Sequence, residues 1–130
     1  MREVVVTDGA PQAIGPYSQA IRAGGLVWVS GQIPLDPATG ELVRGDAGAQ
    51  TRRVLANLKA ILEAAGSSME RVVRATVWLT DMGQFQAVNG VYAAAFPKNP
   101  PARVCVAVTA LPKGADVEID VVALAGNAAS

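Results

Sequence analysis

Between Asp46 and Gly66 the apolar residues change their spacing. Val54, Leu55, Leu58, Ile61, Leu62 and Ala65 fall on one stripe of a helix, while the segments on either side alternate or cluster as strands do. Asp46 is placed to cap this helix and Gly66 to end it. A helix with one apolar stripe has to bury it against another layer, and here the rest of the chain offers mainly β-segments. The chain is thereby limited to folds in which helices back a sheet.

Residues 2–7 (REVVVT) form a short β-rich run, and residues 8–16 (DGAPQAIGP) are full of breakers, which predicts a strand followed by an ordered loop. Residues 17–31 give two extended arms around Ala23-Gly24-Gly25, a hairpin whose second arm ends at Ser30-Gly31. Pro34, Pro37 and Gly40 then mark a surface loop. Residues 71–80 return to β-branched and aromatic types, with alternation that places Val73, Ala75, Val77 and Leu79 on one face. Asp81 and Gln84 suit a capping pair for a second helix, whose stripe runs Phe85, Val88, Asn89, Tyr92, Ala95 and Phe96 before Pro97 ends it. Asn89 is the polar exception on that stripe. Two last strands, 102–110 and 115–124, are separated by the turn residues LPKG, and the tail 125–130 is expected to fray. The order β, β, β, α, β, α, β, β predicts one α+β domain over residues 1–130, with two helices on one face of the sheet.

Charge and residue types narrow the chemistry. Lys+Arg and Asp+Glu number 11 each, with no block of like charge, which points away from nucleic acid or an anionic membrane as a partner. With 1 cysteine and no histidine the chain has no internal disulfide, and the usual zinc sets and histidine triads are out of reach. No segment has signal-peptide length and no run of about 18 apolar residues occurs, so a soluble, cytoplasmic protein is expected. A chain that is 51% hydrophobic and 17% charged is apolar for its size, which favours an oligomer.

Some polar residues do not fit a plain sheet. In PPARVCVAV (100–108), Arg103 shares a strand face with Cys105 and Ala107 while Val104, Val106 and Val108 point the other way. A guanidinium keeps its proton, so Arg103 must reach water, a protein carboxylate or an anionic ligand. In ADVEIDVVAL, Glu118 and Asp120 lie opposite the face of Val117, Ile119 and Val121. If the last two strands pair as a hairpin, Glu118 comes near Arg103 and Cys105, either as an ion pair or as a site that binds an anion and orients water. Cys105 reads as a small buried hydrophobe with no histidine to activate it, and its backbone groups are better ligand contacts than its thiol. Tyr17, Ser30, Gly31 and Asn89 each also have a plain structural reading.

The segments AIGPYSQA (13–20), VSGQIPLDPATGEL (29–42), QTRRVLANLKAILEAAG (50–66), TVWLTDMGQFQAVNGVYAAAF (76–96), PARVCVAV (101–108) and VEIDVVAL (117–124) resemble, end to end, the RidA family, also called YjgF/YER057c/UK114. The resemblance implies a homotrimer of chorismate-mutase-like subunits, whose three sheets form a central barrel with the helices outside and three sites at subunit interfaces. It also implies hydrolysis of 2-enamines and 2-imines, such as 2-aminoacrylate, to 2-ketoacids and ammonia without a cofactor or metal. Arg103 would clamp the substrate carboxylate and Glu118 would orient or activate water. The backbone at Gly31 and Cys105 would orient the substrate, and Tyr17, Ser30 and Asn89 would line the pocket. Every position associated with the active subgroup is present, and Thr109, where relatives more often carry a smaller or basic residue, is a departure beyond the site.

Three other functions compete with this one. The same pocket could serve a non-catalytic trimer that binds small carboxylates. A ribonuclease or chaperone-like activity is disfavoured by neutral charge and the lack of histidine, and chorismate mutase is suggested only by fold analogy.

Overall fold

The structure, a computed structural model, describes residues 1–126. The long helix α1 (Ala47–Ala64) forms where the spacing predicts it. Asp46 is its N-cap, with the side chain accepting from the Ala49 N–H at 2.9 Å, and Gly66 follows the C-cap in the left-handed region at φ +79°. All six predicted stripe residues are buried. Three strands precede it: β1 (Glu3–Val5), β2 (Ala20–Ala23) and β3 (Leu26–Gln32). β2 and β3 form the predicted hairpin, with Gly24 and Gly25 both left-handed at φ +63° and +77°, as a tight two-residue turn requires.

After α1 come β4 (Val72–Leu79), α2 (Phe85–Ala95), β5 (Ala102–Ala107) and β6 (Val117–Leu124). The six strands make one mixed sheet in the order β1-β2-β3-β6-β4-β5, in which only β4 and β5 run parallel. Leu58, Ile61 and Leu62 of α1 pack with Val27, Val77, Leu79, Val117, Ile119 and Val121 from the sheet, and Val88 and Tyr92 of α2 join the same core. The opposite face of the sheet lacks this cover, and Trp28, Val104 and Leu124 are 49%, 40% and 48% exposed on it.

Several expectations need correction. The last two strands do not form a hairpin, because β6 inserts between β3 and β4 while β5 pairs with the far side of β4. Both are also shorter than expected. Val73 is 40% exposed and Val72 is buried instead, because a register shift between Val72 and Arg74 turns the strand's face. Asp81 caps a single 3-10 turn, Met82–Gln84, by accepting from the Gly83 N–H; Gln84 then serves as N-cap of α2 with no side-chain hydrogen bond, so the reciprocal capping pair is not formed. Of the tail expected to fray, Ala125 is held through its N–H to the Gly25 carbonyl and Gly126 through its carbonyl to Arg22, while residues 127–130 lie outside the described residues.

Buried amides fix the loops that surround the open face. Gln19, 3% exposed, accepts from the Thr7 N–H at 2.7 Å and donates to the Thr7 and Pro11 carbonyls at 3.0 and 2.8 Å, which staples the 7–19 loop. Asn57 on α1 donates to the Leu35 carbonyl at 2.9 Å and so anchors the loop after β3. Satisfied buried amides of this kind specify one loop conformation, since any other would leave them unpaired.

Candidate active site

Arg103 lies on the edge strand β5 and its side chain projects to the helix side, in register with Ala75 and Val121. There Nη1 donates to the Asn89 Oδ1 at 2.7 Å, and the guanidinium carbon sits 4.8 Å from the centre of the Tyr92 ring and 5.6 Å from that of Phe85. Arg103 is exposed in the single chain, and these partners are an uncharged amide and two aromatic rings rather than a carboxylate. Cys105 is on the same face. Burial pushes its thiol pKa up against the opposing pull of Arg103, so the thiol stays protonated and is a poor nucleophile. Its backbone is better placed: the Val108 N–H bonds to the Leu79 carbonyl at 2.7 Å, and successive strand residues direct their backbone groups to opposite sides, so those of Cys105 face the free edge of the sheet.

Glu118 is on the other face, in register with Trp78 and Val106. Within one chain it cannot meet Arg103, which removes the ion-pair reading. Its neighbour is Gly31, at the register shift of β3 between Val29 and Gln32, where a Cβ would overlap the Glu118 carboxylate. The strand bulges here and only a residue without a side chain lets the carboxylate lie flat against it. Burial raises the pKa of Glu118, and the nearby charge of Asp120 raises it further. Asp120 itself accepts from the Trp78 indole N–H at 2.8 Å.

Glu118 and Gly31 open into a cavity of about 300 Å³ whose walls include Tyr17, Ile14, Gln32 and Lys113. Tyr17 is 51% exposed in the loop before β2, not on a strand, and its hydroxyl accepts from the Ile14 N–H at 3.3 Å. Ser30 adjoins Gly31 but turns its hydroxyl to the Ser18 carbonyl at 2.6 Å, tying β3 to the loop before β2. Lys113, in the LPKG turn, holds a left-handed backbone at φ +59°, a conformation that non-glycine residues adopt at some cost and that recurs at functional sites. A larger concavity of about 870 Å³ between α1, α2 and the segment before β5 includes none of the seven candidate residues, and its Lys59 and Lys98 are balanced by Glu63 and Glu70. Its size does not outweigh the convergence of groups around Glu118.

The seven candidates thus fall into two half-sites on opposite faces of one sheet: Arg103, Cys105 and Asn89 at the β5 edge, and Tyr17, Ser30, Gly31 and Glu118 around the open-face cavity. Phe85, Tyr92 and Lys113 join them without having been singled out by their types, and so does Asp120, already noted beside Glu118 on its strand. Phe85 and Tyr92 could have been found from their spacing, since they flank Asn89 on one helical stripe.

A six-stranded mixed sheet backed by two helices, with the β4–β5 parallel edge and a β6 inserted beside β3, defines a YjgF-type α+β domain. Residues 7–125 match the family described as Endoribonuclease L-PSP. The chain is 54% identical to a RutC family protein of Pyrococcus horikoshii over 95% of this chain and 98% of that one. It is 45% identical to the 2-iminobutanoate/2-iminopropanoate deaminase of Capra hircus, over 97% of this chain and 92% of that one. The crystal structure of the YjgF gene product from E. coli superimposes with a TM-score of 0.90 at 42% identity, covering 94% of this chain and 98% of the other. The chain belongs to the RidA family. Among the described residues, no helix is long and apolar enough to cross a membrane.

Proposed function

We propose that the protein is an enamine/imine deaminase that hydrolyses 2-aminoacrylate, its imine tautomer and related 2-imino acids to 2-ketoacids and ammonia. The observation that carries this reading is the exposed Arg103 guanidinium, without a carboxylate partner among the described residues, held by a neutral amide and aromatic rings on the edge strand of the sheet. Such a group suits a planar carboxylate, to which it can offer two parallel N–H donors. The deaminase named among the relatives supports the reaction class.

Because Arg103 and Glu118 lie on opposite faces, a site that uses both needs the β5 edge of one copy against the open-face cavity of another. A homotrimer whose sheets enclose a barrel meets this need and also covers the exposed Trp28, Val104 and Leu124. In the assembled site Arg103 holds the carboxylate and the Cys105 and Gly31 backbones orient the imine. Tyr17, Ser30 and Asn89 line the pocket and support these groups. Water attacks the imine carbon as Glu118 accepts its proton. Glu118 passes that proton to the imine nitrogen to give the carbinolamine, then takes the carbinolamine hydroxyl proton and delivers it to the nitrogen as the C–N bond breaks, so that the ketone forms, one water is consumed and one ammonia is released. Burial and the charge of Asp120 raise the pKa of Glu118, which makes it a stronger base than an ordinary carboxylate for the first transfer. Imines hydrolyse readily, so orientation and one proton shuttle are enough, and neither metal nor cofactor is required.

To test this, an amino-acid oxidase generates imino acids in the presence of semicarbazide, and the protein is expected to suppress semicarbazone formation. No suppression, together with stoichiometric binding of 2-ketoacids, would replace the proposal with a non-catalytic carboxylate-binding trimer.

A further inference from the structure

The arginine cradle comes from one stripe of α2. Phe85, Asn89 and Tyr92 stand at i, i+4 and i+7, so they line up along the helix and face β5 together. The guanidinium carbon of Arg103 is 5.6 Å from the centre of the Phe85 ring and 4.8 Å from that of Tyr92. The cation thus lies over both rings while Asn89 accepts an N–H from Nη1.

Core packing alone does not account for Tyr92. It is only 4% exposed and its hydroxyl is buried without a hydrogen-bond partner among the described residues, a cost that leucine at the same position would avoid. An aromatic face against Arg103 gives that position a second use. With two rings within cation–π distance and Asn89 accepting from Nη1, the guanidinium loses rotational freedom before any ligand arrives and keeps other N–H donors for it. Pre-organisation of this kind converts directly into affinity.

We infer that Phe85 and Tyr92 are positioning residues that clamp the Arg103 guanidinium and thereby set the affinity of the site for the substrate carboxylate. The inference rests on the assignment of Arg103 as the carboxylate anchor, but not on turnover. The ring of Tyr92, rather than its hydroxyl, does the clamping.

The experiment measures the dissociation constant of 2-oxobutanoate by calorimetry for wild type, Tyr92→Phe, Tyr92→Leu and Phe85→Leu, alongside KM and kcat for imine hydrolysis and the thermal melting of each variant. Tyr92→Leu is expected to weaken binding about fivefold and Phe85→Leu about threefold, in the range of a cation–π contact, with KM rising in step and kcat nearly constant. Tyr92→Phe is expected to bind as wild type does and to melt no lower. Wild-type affinity in folded Tyr92→Leu, or an equal loss in Tyr92→Phe, overturns the clamp. Should Tyr92→Leu fail to fold, Phe85→Leu decides alone, since Phe85 is only half-buried and unchanged affinity there overturns it equally. Wild type that binds 2-oxobutanoate but hydrolyses no imine would refute the deaminase proposal while the clamp stands or falls on the binding series. Wild type that binds no carboxylate would refute both.

Discussion

Arg103 and Glu118 stand two strands apart in the same sheet, yet their surroundings are built in opposite ways. The arginine half-site is local: three side chains on one stripe of α2 hold a group on the strand that follows that helix. The glutamate half-site is assembled from distant segments, with β3 and β6 brought together by pairing, a bulge at Gly31 and a loop stapled by Gln19. The first half leaves its charge exposed and fully available, whereas the second partly buries its charge and raises its pKa. In the proposed mechanism the permanent cation anchors the anion and the carboxyl with the raised pKa moves the proton, so the two environments would divide the work.

Removing the anchor should have the largest effect. Arg103→Ala is expected to lower kcat/KM by about 100-fold or more, the usual scale for truncating one partner of a charge-assisted pair. Thermal melting should stay close to wild type, because the side chain is exposed and its partners are uncharged. Activity within a few-fold of wild type would break the division between anchor and proton shuttle.

On the other half-site, Glu118→Gln is expected to lower kcat by about 100-fold while leaving 2-oxobutanoate binding nearly intact. In the proposed mechanism the carboxylate is the active form, so wild-type kcat should fall as pH drops through the raised pKa of Glu118, with the acid limb above the ordinary glutamate value of about 4.3. Asp120→Asn removes one of the two causes of the raise and should move that limb to lower pH. Stability carries the same sign. A carboxyl with a raised folded pKa retains its proton where the unfolded chain has lost it, so folding weakens as pH rises through that window. Glu118→Gln should therefore melt higher than wild type at pH 7, with the gain fading below about pH 4.

Gly31→Ala sharpens the comparison by displacing the glutamate without removing it. The added Cβ would overlap the Glu118 carboxylate, and a shift on the order of 1 Å can cost about 10- to 100-fold in rate. The loss should appear in kcat, with 2-oxobutanoate binding preserved because the β5 edge is untouched. A matching loss of binding would mean that the two half-sites are coupled more tightly than their separate construction implies.

How far each half could be read in advance follows from the same contrast. Both helices and their stripes were legible, because a 3.6-residue period is a local signal that needs no partner. Phe85, Asn89 and Tyr92 were visible on one stripe, although the aromatic rings read as core until Arg103 was placed against them. The alternation that put Arg103 and Cys105 together on β5 also held. Beyond the β2–β3 hairpin, pairing was not legible. The short LPKG turn suggested that β5 and β6 are neighbours, but the structure places β4 between them, so the closeness expected for Arg103 and Glu118 does not exist within one chain. Nor does alternation report a register shift, and the one beside Val73 turned its face while the one at Gly31 created the Glu118 contact.

The smallest effect is expected at Cys105, the residue whose chemistry looks most reactive on paper. Its thiol is on the helix face, shared with Arg103 but away from the Glu118 cavity, and burial keeps it protonated. What the arginine half-site takes from this position is the backbone at the free edge of β5, which a side-chain change leaves in place. Cys105→Ser should retain kcat/KM within about twofold, since it preserves size and strand geometry and removes only a weak hydrogen-bonding sulfur. Alkylating reagents should correspondingly inhibit by bulk at the edge, with the serine variant active and insensitive to them. If serine instead abolished turnover with the fold intact, a covalent step through sulfur would have to replace direct attack by water, and the proton shuttle would lose its central place.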